Sequence, residues 1–180
     1  LQQKEFHTKL NRVRQMMRQE GLDGCVLKRP ENFAWMTGGG KNYLIPGVDV
    51  GLCSLVVCED ALYAITNNIE APRMKEEEQL EAFGFQLLAG IWHNDAFEQN
   101  TLKKLFPGKI IGFDYNYPLG KNMSGSIQKL RYSLTEEEVA KYLEGGRLVT
   151  AAVEEVAATV RRGDTELQTL GRLASLTHSL

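Results

Sequence analysis

The sequence predicts an α/β fold, with a mixed β-sheet flanked by helices and a long helical segment after it. Short apolar runs of strand length alternate with amphipathic stretches of helical period over residues 1–132. Two of these runs follow each other in the pattern of a hairpin, so the sheet is expected to be mixed rather than purely parallel. From residue 133 to residue 180 the pattern is wholly helical, and we place the domain boundary at about residue 132.

The first predicted elements are a helix, a strand and a second helix. Residues 4–20 carry their apolar side chains on one helical face, and Gly21 follows where a left-handed residue commonly ends a helix. Residues 23–28 indicate a short buried strand. Pro30 suits the first turn of the helix predicted over residues 31–37.

The central part of the chain predicts a hairpin, a helix and a further strand. Residues 50–58 and 61–66 are the two apolar strands of the hairpin, joined by an acidic two-residue turn. Residues 69–82 are rich in Glu, Lys, Met and Ala, which favours a helix. Residues 83–88 indicate the next strand.

A capping box marks the start of the next helix. Asp95 and Glu98 have the spacing in which each side chain bonds the backbone of the other, so a helix is predicted from there to about Phe106. Residues 109–114 predict a strand and residues 126–132 a short helix.

Two further capping boxes open the helical segment. Thr135 with Glu138 begins the longest helix, over roughly residues 135–161, and Thr165 with Gln168 begins the last one. The long helix has an apolar stripe formed by Val139, Leu143, Val149, Val153, Val156 and Val160. Because such a stripe needs a partner to be buried, we expect self-association through its last four valines.

Composition excludes several classes of function. The formal net charge is −2 and the pI is about 6.0, so the composition does not indicate a basic surface for binding nucleic acid or an anionic membrane. No apolar run approaches the roughly 20 residues that span a bilayer, and the opening residues are charged, without a signal-peptide core. The three cysteines are an odd number without a C-x-x-C pair, so no disulfide framework is expected and a cytoplasmic location is predicted.

The chain offers no metal or catalytic constellation by spacing. His7, His93 and His178 lie far apart in the sequence, and none belongs to a paired zinc motif. The glutamate runs at 76–78 and 136–138 point in different directions around their helices and do not converge. We therefore expect no catalytic residue and no metal ligand within this chain.

Two short elements and the start of the last helix carry a family resemblance. Residues 21–24 follow the first helix, and the element from Asn32 to Gly38 follows them at a fixed distance. These elements resemble the N-terminal domains of creatinase, prolidase and aminopeptidase P, which have a ribonuclease H-like fold. The tail from Gly163 resembles the second helix of their pita-bread catalytic domain. One departure is that the family usually has a lysine shortly after the arginine that matches Arg131, whereas Tyr132 follows here.

The resemblance implies that this chain is a piece of a longer Xaa-Pro metallopeptidase. In that family a C-terminal domain holds two divalent metal ions (manganese, cobalt or zinc) through two aspartates, a histidine and two glutamates. The N-terminal domain shapes the cleft for a proline-containing peptide and mediates oligomer contacts, so we expect a homodimer and an inactive fragment with no cofactor of its own. The loop over residues 38–49 can face a neighbouring cleft, which makes Trp35 and Tyr43 the candidate substrate-proximal residues.

Two alternatives share the same domain and stay open at the level of sequence. One is a non-catalytic protein-binding module of this fold, as in some histone-chaperone subunits. The other is part of a creatinase-type amidinohydrolase. For the two candidate site residues the alternative is that Trp35 belongs to the core and Tyr43 to the ordinary surface.

Overall fold

The computed structural model describes residues 2–179. The chain divides into two compact units, one up to Ser133 and the other from Leu134 onward. None of the helices within the described residues is long and apolar enough to cross a membrane.

The first unit is an α/β domain built on a mixed sheet, as predicted. Within residues 2–179 the strands are β1 (Gly24–Leu27), β2 (Ser54–Cys58), β3 (Leu62–Asn67), β4 (Gln86–Gly90), β5 (Ile111–Phe113) and β6 (Lys121–Asn122). The helices of this unit are α1 (Gln2–Glu20), α2 (Pro30–Thr37), α3 (Ala71–Glu76), a 3₁₀ helix (Leu80–Phe83), α4 (Phe97–Leu105) and α5 (Ser124–Leu130). The strand order is β4-β3-β2-β1-β5-β6, and β2 runs antiparallel to both of its neighbours.

The alternation of side chains along the strands supplies two apolar layers. Cys25 and Leu27 of β1 belong to the core cluster that includes the apolar stripe of α1, whereas Val26 between them belongs to the cluster beneath α4. Leu55 and Val56 of β2 divide in the same way. This is the two-residue period of a strand buried on both faces.

Strand directions bring several chain segments to one edge of the sheet. β1 is parallel to β5, and β3 is parallel to β4. Because β2 is antiparallel to both β1 and β3, the carboxyl ends of β1, β3, β4 and β5 all lie at the same edge. In open α/β sheets this edge is the usual location of a ligand site.

The second unit consists of α6 (Glu136–Thr159) and α7 (Glu166–Thr177), which contact each other. Both predicted capping boxes are present: the Thr135 and Thr165 hydroxyls accept backbone N–H bonds of 3.1 and 3.2 Å from Glu138 and Gln168. Within the valine stripe, Val156 is buried, whereas Val149, Val153 and Val160 are about half exposed.

The middle of the first unit differs from the sequence prediction at three places. The helix predicted over 69–82 is broken, because Gln79 adopts a left-handed conformation with φ of 51° between α3 and the 3₁₀ helix. The strand predicted over 83–88 therefore begins later, at Gln86. The first hairpin strand, predicted over residues 50–58, begins only at Ser54. The predicted two-residue turn at residues 59–60 is present, because Val57 pairs with Leu62 and the Cys58 amide donates a bond to the Ala61 carbonyl.

The capping box predicted at Asp95 and Glu98 is wrong. The helix begins at Phe97 with Ala96 at the N-cap, and no side-chain cap bond is made there. The Glu98 carboxylate instead bonds Lys28 and Ser54, which lie far away in sequence.

Candidate functional site

A buried carboxylate organises the edge of the sheet where β1 ends. Asp114, directly after β5, accepts backbone N–H bonds from Lys28 (3.0 and 2.9 Å) and Arg29 (2.8 Å) and a side-chain bond from Asn32 (2.9 Å). Arg29 is the N-cap residue of α2 and makes no side-chain cap bond. Asp114 therefore fixes, from the neighbouring strand, the backbone of the two residues that precede α2, while the first amides of the helix donate to the Arg29 carbonyl.

Burial dominates the electrostatics of this carboxyl group. Loss of hydration raises the pKa of Asp114, while the hydrogen bonds from Asn32, Lys28 and Arg29 work in the opposite direction. The Asp114 side chain is fully buried.

An ion pair joins the end of β1 to the first turn of α4. Lys28 Nζ lies 2.5 Å from Glu98 Oε2, and the Ser54 hydroxyl donates a 2.5 Å bond to Glu98 Oε1. Both charged side chains are largely shielded, at 16% and 20% exposure. The same carboxylate acts on an aromatic neighbour, because the pKa of Tyr115 is raised first by burial and then by the charge of Glu98.

A cavity of about 220 Å³ opens beside this ion pair. Its wall comes from the ends of β3 and β4 and the start of α4 and includes Lys28, Asn67, Trp92, Asp95 and Glu98. The Trp92 side chain is 61% exposed, and its backbone amide donates a 2.7 Å bond to Asn68 Oδ1.

A long loop reaches the same edge and is fastened by one side chain. Asn42 is fully buried, and its Nδ2 donates to the carbonyls of Lys28 (3.0 Å) and Cys53 (2.8 Å). Its Oδ1 accepts from the amides of Leu52 (3.0 Å) and Cys53 (2.7 Å). These four bonds fill every donor and acceptor position that an asparagine amide has.

The loop is also tied to the acidic end of α3. The amide of Lys41 donates a 3.0 Å bond to Glu78 Oε2, and the Lys41 carbonyl accepts a 2.9 Å bond from Arg73 Nη1. Arg73 in turn pairs with Glu70 at 2.7 Å. The stem of the loop is therefore held on two sides.

The two residues that the sequence singled out as substrate-proximal lie in different environments. Trp35, on α2, is only 7% exposed and belongs to the core. Lys9 Nζ donates a 2.6 Å bond to its carbonyl and lies 5.6 Å from the centre of its ring. Tyr43 is half-buried and stands directly before the loop tip, where Leu44 and Ile45 are each 70% exposed.

The residues present do not fit a dinuclear metal site. Between residues 2 and 179 there is no group of three or more His, Cys, Asp or Glu side chains that could hold a metal ion. His93 packs edge-on against Trp92 with ring centres 5.4 Å apart. No step through a metal is therefore assigned to side chains of this part of the chain.

Sequence reasoning missed the residues that join distant segments. Lys28, Asn42 and Asp114 bond partners between 10 and 86 residues away, and no local pattern reports such pairs. The one signal available for Asn42 was its place in a long glycine-bounded loop, where a polar residue commonly bonds backbone groups.

The chain belongs to the Creatinase/Prolidase N-terminal domain family, whose model matches residues 9–140. No curated protein sequence matches the chain.

Solved structures show the same fold. The chain is similar to an Xaa-Pro dipeptidase from Bacillus anthracis, with 18% identity, a TM-score of 0.73 and coverage of 97% of this chain and 49% of that one. It is similar to the prolidase from Pyrococcus horikoshii, with 13% identity, a TM-score of 0.70 and coverage of 96% and 48%. An X-prolyl aminopeptidase from Caenorhabditis elegans, described as a cytosolic enzyme with a di-nuclear active site, has 12% identity, a TM-score of 0.64 and coverage of 97% and 31%.

Each match covers a much larger share of this chain than of the solved structure. This chain is matched almost throughout, but it spans about half the length of the dipeptidase and the prolidase. At these identities the likeness establishes the fold.

Proposed function

We propose that this chain is the N-terminal, non-catalytic domain of an Xaa-Pro metallopeptidase of the prolidase or aminopeptidase P type. The observation that carries the proposal is the family match over residues 9–140, together with a fold that corresponds to half of the dipeptidase structures. On this proposal the chain alone has no peptidase activity, because the metal ligands belong to the part of the protein that it does not contain.

The proposed role of the domain is to shape a substrate cleft and to hold a homodimer together. The loop after α2 supports this role, since its stem is fixed by Asn42 and its tip exposes Leu44 and Ile45. Tyr43 is proposed to contact a proline-containing peptide directly, and Trp35, whose ring is buried, to act by supporting α2.

The metal chemistry is proposed for the remainder of the protein. Two divalent ions, manganese, cobalt or zinc, would activate a water for attack on the carbonyl of an Xaa-Pro bond when bound. A cytoplasmic location is proposed with it, in line with the description of the Caenorhabditis elegans relative as cytosolic.

An activity assay on the natural, longer protein tests this proposal. The protein is purified without metal, loaded with Mn²⁺, Co²⁺ or Zn²⁺, and given dipeptides and tripeptides that differ only in having proline or alanine after the first residue. We expect metal-dependent cleavage of the proline peptides, and no cleavage by the 180-residue chain under the same conditions.

The same preparation separates the alternatives. Metal-dependent hydrolysis of creatine without peptide cleavage would identify an amidinohydrolase. No hydrolysis with any of the three metals, in a folded protein, would contradict the enzyme proposal. It would favour a protein-binding module, for which the exposed Leu44 and Ile45 are the best candidate contact.

A further inference from the structure

The connection between α2 and β2 is unusually long for a compact domain. Residues 38–53 contain neither helix nor strand, although loops of this length inside a domain are uncommon and are usually either functional or disordered. The stem of this loop is strongly bonded, and its tip carries large apolar side chains in water. This combination is typical of a preformed recognition loop and not of a flexible linker.

Asn42 closes the loop at its base. Besides the four side-chain bonds, the Leu52 amide donates a 3.1 Å bond to the Asn42 carbonyl, and the Gly51 amide donates a 2.9 Å bond to the Lys28 carbonyl. The segment 43–50 therefore leaves and re-enters the domain at one fixed point. Asn42 is fully buried and so cannot touch a substrate itself.

The glycine opposite Asn42 is required by this packing. A Cβ added to Gly51 would lie 2.3 Å from Asn42 Nδ2 and 2.4 Å from the Asn42 carbonyl oxygen. Since the carbonyl is backbone, the space cannot be recovered by turning a side chain alone. Gly51 and Asn42 thus form one clasp, and a change at either residue disturbs the other.

We propose that Asn42 is a positioning residue that sets the geometry of Tyr43 and of the apolar loop tip toward a peptide substrate. The inference deepens the proposed function and rests on it. Asn42 fixes the backbone on both sides of the loop, Gly51 leaves the room for its amide, and Tyr43 with Leu44 and Ile45 makes the contact.

Two independent perturbations of the clasp test the role in the natural, full-length protein. Asn42→Ser removes the bonds, and Gly51→Ala displaces the amide without deleting it. Leu44→Ser with Ile45→Ser changes only the exposed tip, so it still tests the substrate contact if either of the other two variants fails to fold. The control is Gly125→Ala, because a Cβ at this position in α5 has no atom within 4 Å.

The measurements are kcat and KM on an Xaa-Pro peptide, bound metal, and hydrogen exchange at Leu52 and Cys53, whose amides donate to Asn42. We expect each clasp variant to lower kcat/KM by about 10- to 100-fold at unchanged metal content, because small misplacements of positioning groups have effects of this size. The double variant at residues 42 and 51 should lose little more than either single one, since both break one unit. The tip variant should reduce kcat/KM with normal exchange at both amides.

Each remaining outcome overturns a defined part of the account. If the clasp variants exchange faster at Leu52 and Cys53 while kcat/KM stays within about twofold of wild type, Asn42 is purely structural and the positioning role is wrong. If the tip variant is fully active, the loop tip does not contact the substrate and the inference is also wrong. Absence of Xaa-Pro cleavage by the wild-type protein contradicts the proposed function itself, and the positioning role falls with it.

Discussion

The ammonium of Lys28 lies 2.5 Å from a carboxylate oxygen of Glu98 and connects the end of β1 to the first turn of α4. The sequence pattern predicts a local capping box between Asp95 and Glu98, but Glu98 makes the long-range pair with Lys28 instead. Both residues also line the cavity at the sheet edge. Together with the apolar packing of Leu102 and Phe106, the pair holds α4 against the strands that end there.

Glu98→Gln should destabilise the domain. The substitution keeps the shape but removes the charge that balances a largely shielded lysine, so we expect the free energy of unfolding to fall by about 1–2 kcal/mol. The measurement is urea unfolding followed by circular dichroism. The same variant should lower the pKa of Tyr115, since the Glu98 carboxylate helps to raise it.

A matched control for this prediction is Glu59→Gln. Glu59 pairs with Arg18 at 2.6 Å, but both side chains are more than half exposed. Exposed pairs contribute little, so the change in unfolding free energy should stay below about 0.5 kcal/mol. Equal losses in the two variants would contradict a special role for the Lys28 pair.

Asp114→Asn should replace one of the two acceptor oxygens of this buried side chain with an NH₂ donor that faces the Lys28 and Arg29 amides, and so lower the unfolding free energy by about 1–2 kcal/mol. Burial raises the pKa of Asp114, so its ionisation weakens the folded state relative to the unfolded one. The stability it contributes is complete below the unfolded-state pKa of 3.8 and declines as pH rises through the raised pKa of the folded state. The loss of unfolding free energy in the variant, relative to wild type, should therefore be largest in acid and become smaller toward neutral pH.

Unfolding of wild type and Asp114→Asn, measured between pH 3 and pH 7, shows whether the difference in their stability falls or grows as pH rises (the range brackets a raised carboxyl pKa). A deficit that instead grows as pH rises would mean that the hydrogen bonds from Lys28, Arg29 and Asn32 outweigh burial. In that case the pKa of Asp114 is lowered.

The two tryptophans should respond differently to an ionic quencher. Trp35 is 7% exposed and Trp92 is 61% exposed. Iodide should therefore quench the emission of Trp92, and Trp92→Phe should remove most of the quenchable signal, whereas Trp35→Phe should leave it. The reverse pattern would place Trp35 at the surface, where it could touch a substrate directly.

Self-association of the 180-residue chain is expected through α6. Val149, Val153 and Val160 are about half exposed, so their burial between copies is favourable. Light scattering should give a mass above the 20.2 kDa of one chain, and Val149→Ser with Val153→Ser should reduce it. The control is Ala151→Ser with Ala157→Ser, which adds the same hydroxyls at exposed positions of the same helix.

The contradicting result for this prediction is a strict monomer at high concentration in the wild type. Val156, which the sequence grouped with the interface, is already buried within the second unit, and its substitution is not informative about association.

Local patterns in the sequence predicted the elements that local physics decides. Gly21 has the left-handed φ of 64° expected after α1, and the boxes at Thr135 and Thr165 cap their helices. The mixed sheet followed from the hairpin pattern around β2. Each of these features depends on residues only a few positions apart.

The candidate site could not be predicted in the same way. Asn42 bonds residues 28, 52 and 53, and Asp114 bonds residues 28, 29 and 32, so each is defined by the assembled sheet edge. The left-handed Gln79 likewise broke a helix that composition favoured. Tertiary bonds override propensity at these places.

The central claim, that this chain is the N-terminal domain of a metallopeptidase, is tested most directly by the coding sequence that follows the codon for Leu180. We predict that the reading frame continues for roughly another domain length. It should encode two aspartates, a histidine and two glutamates, in that order, as metal ligands. A stop codon, or a continuation without these five residues, would contradict the claim.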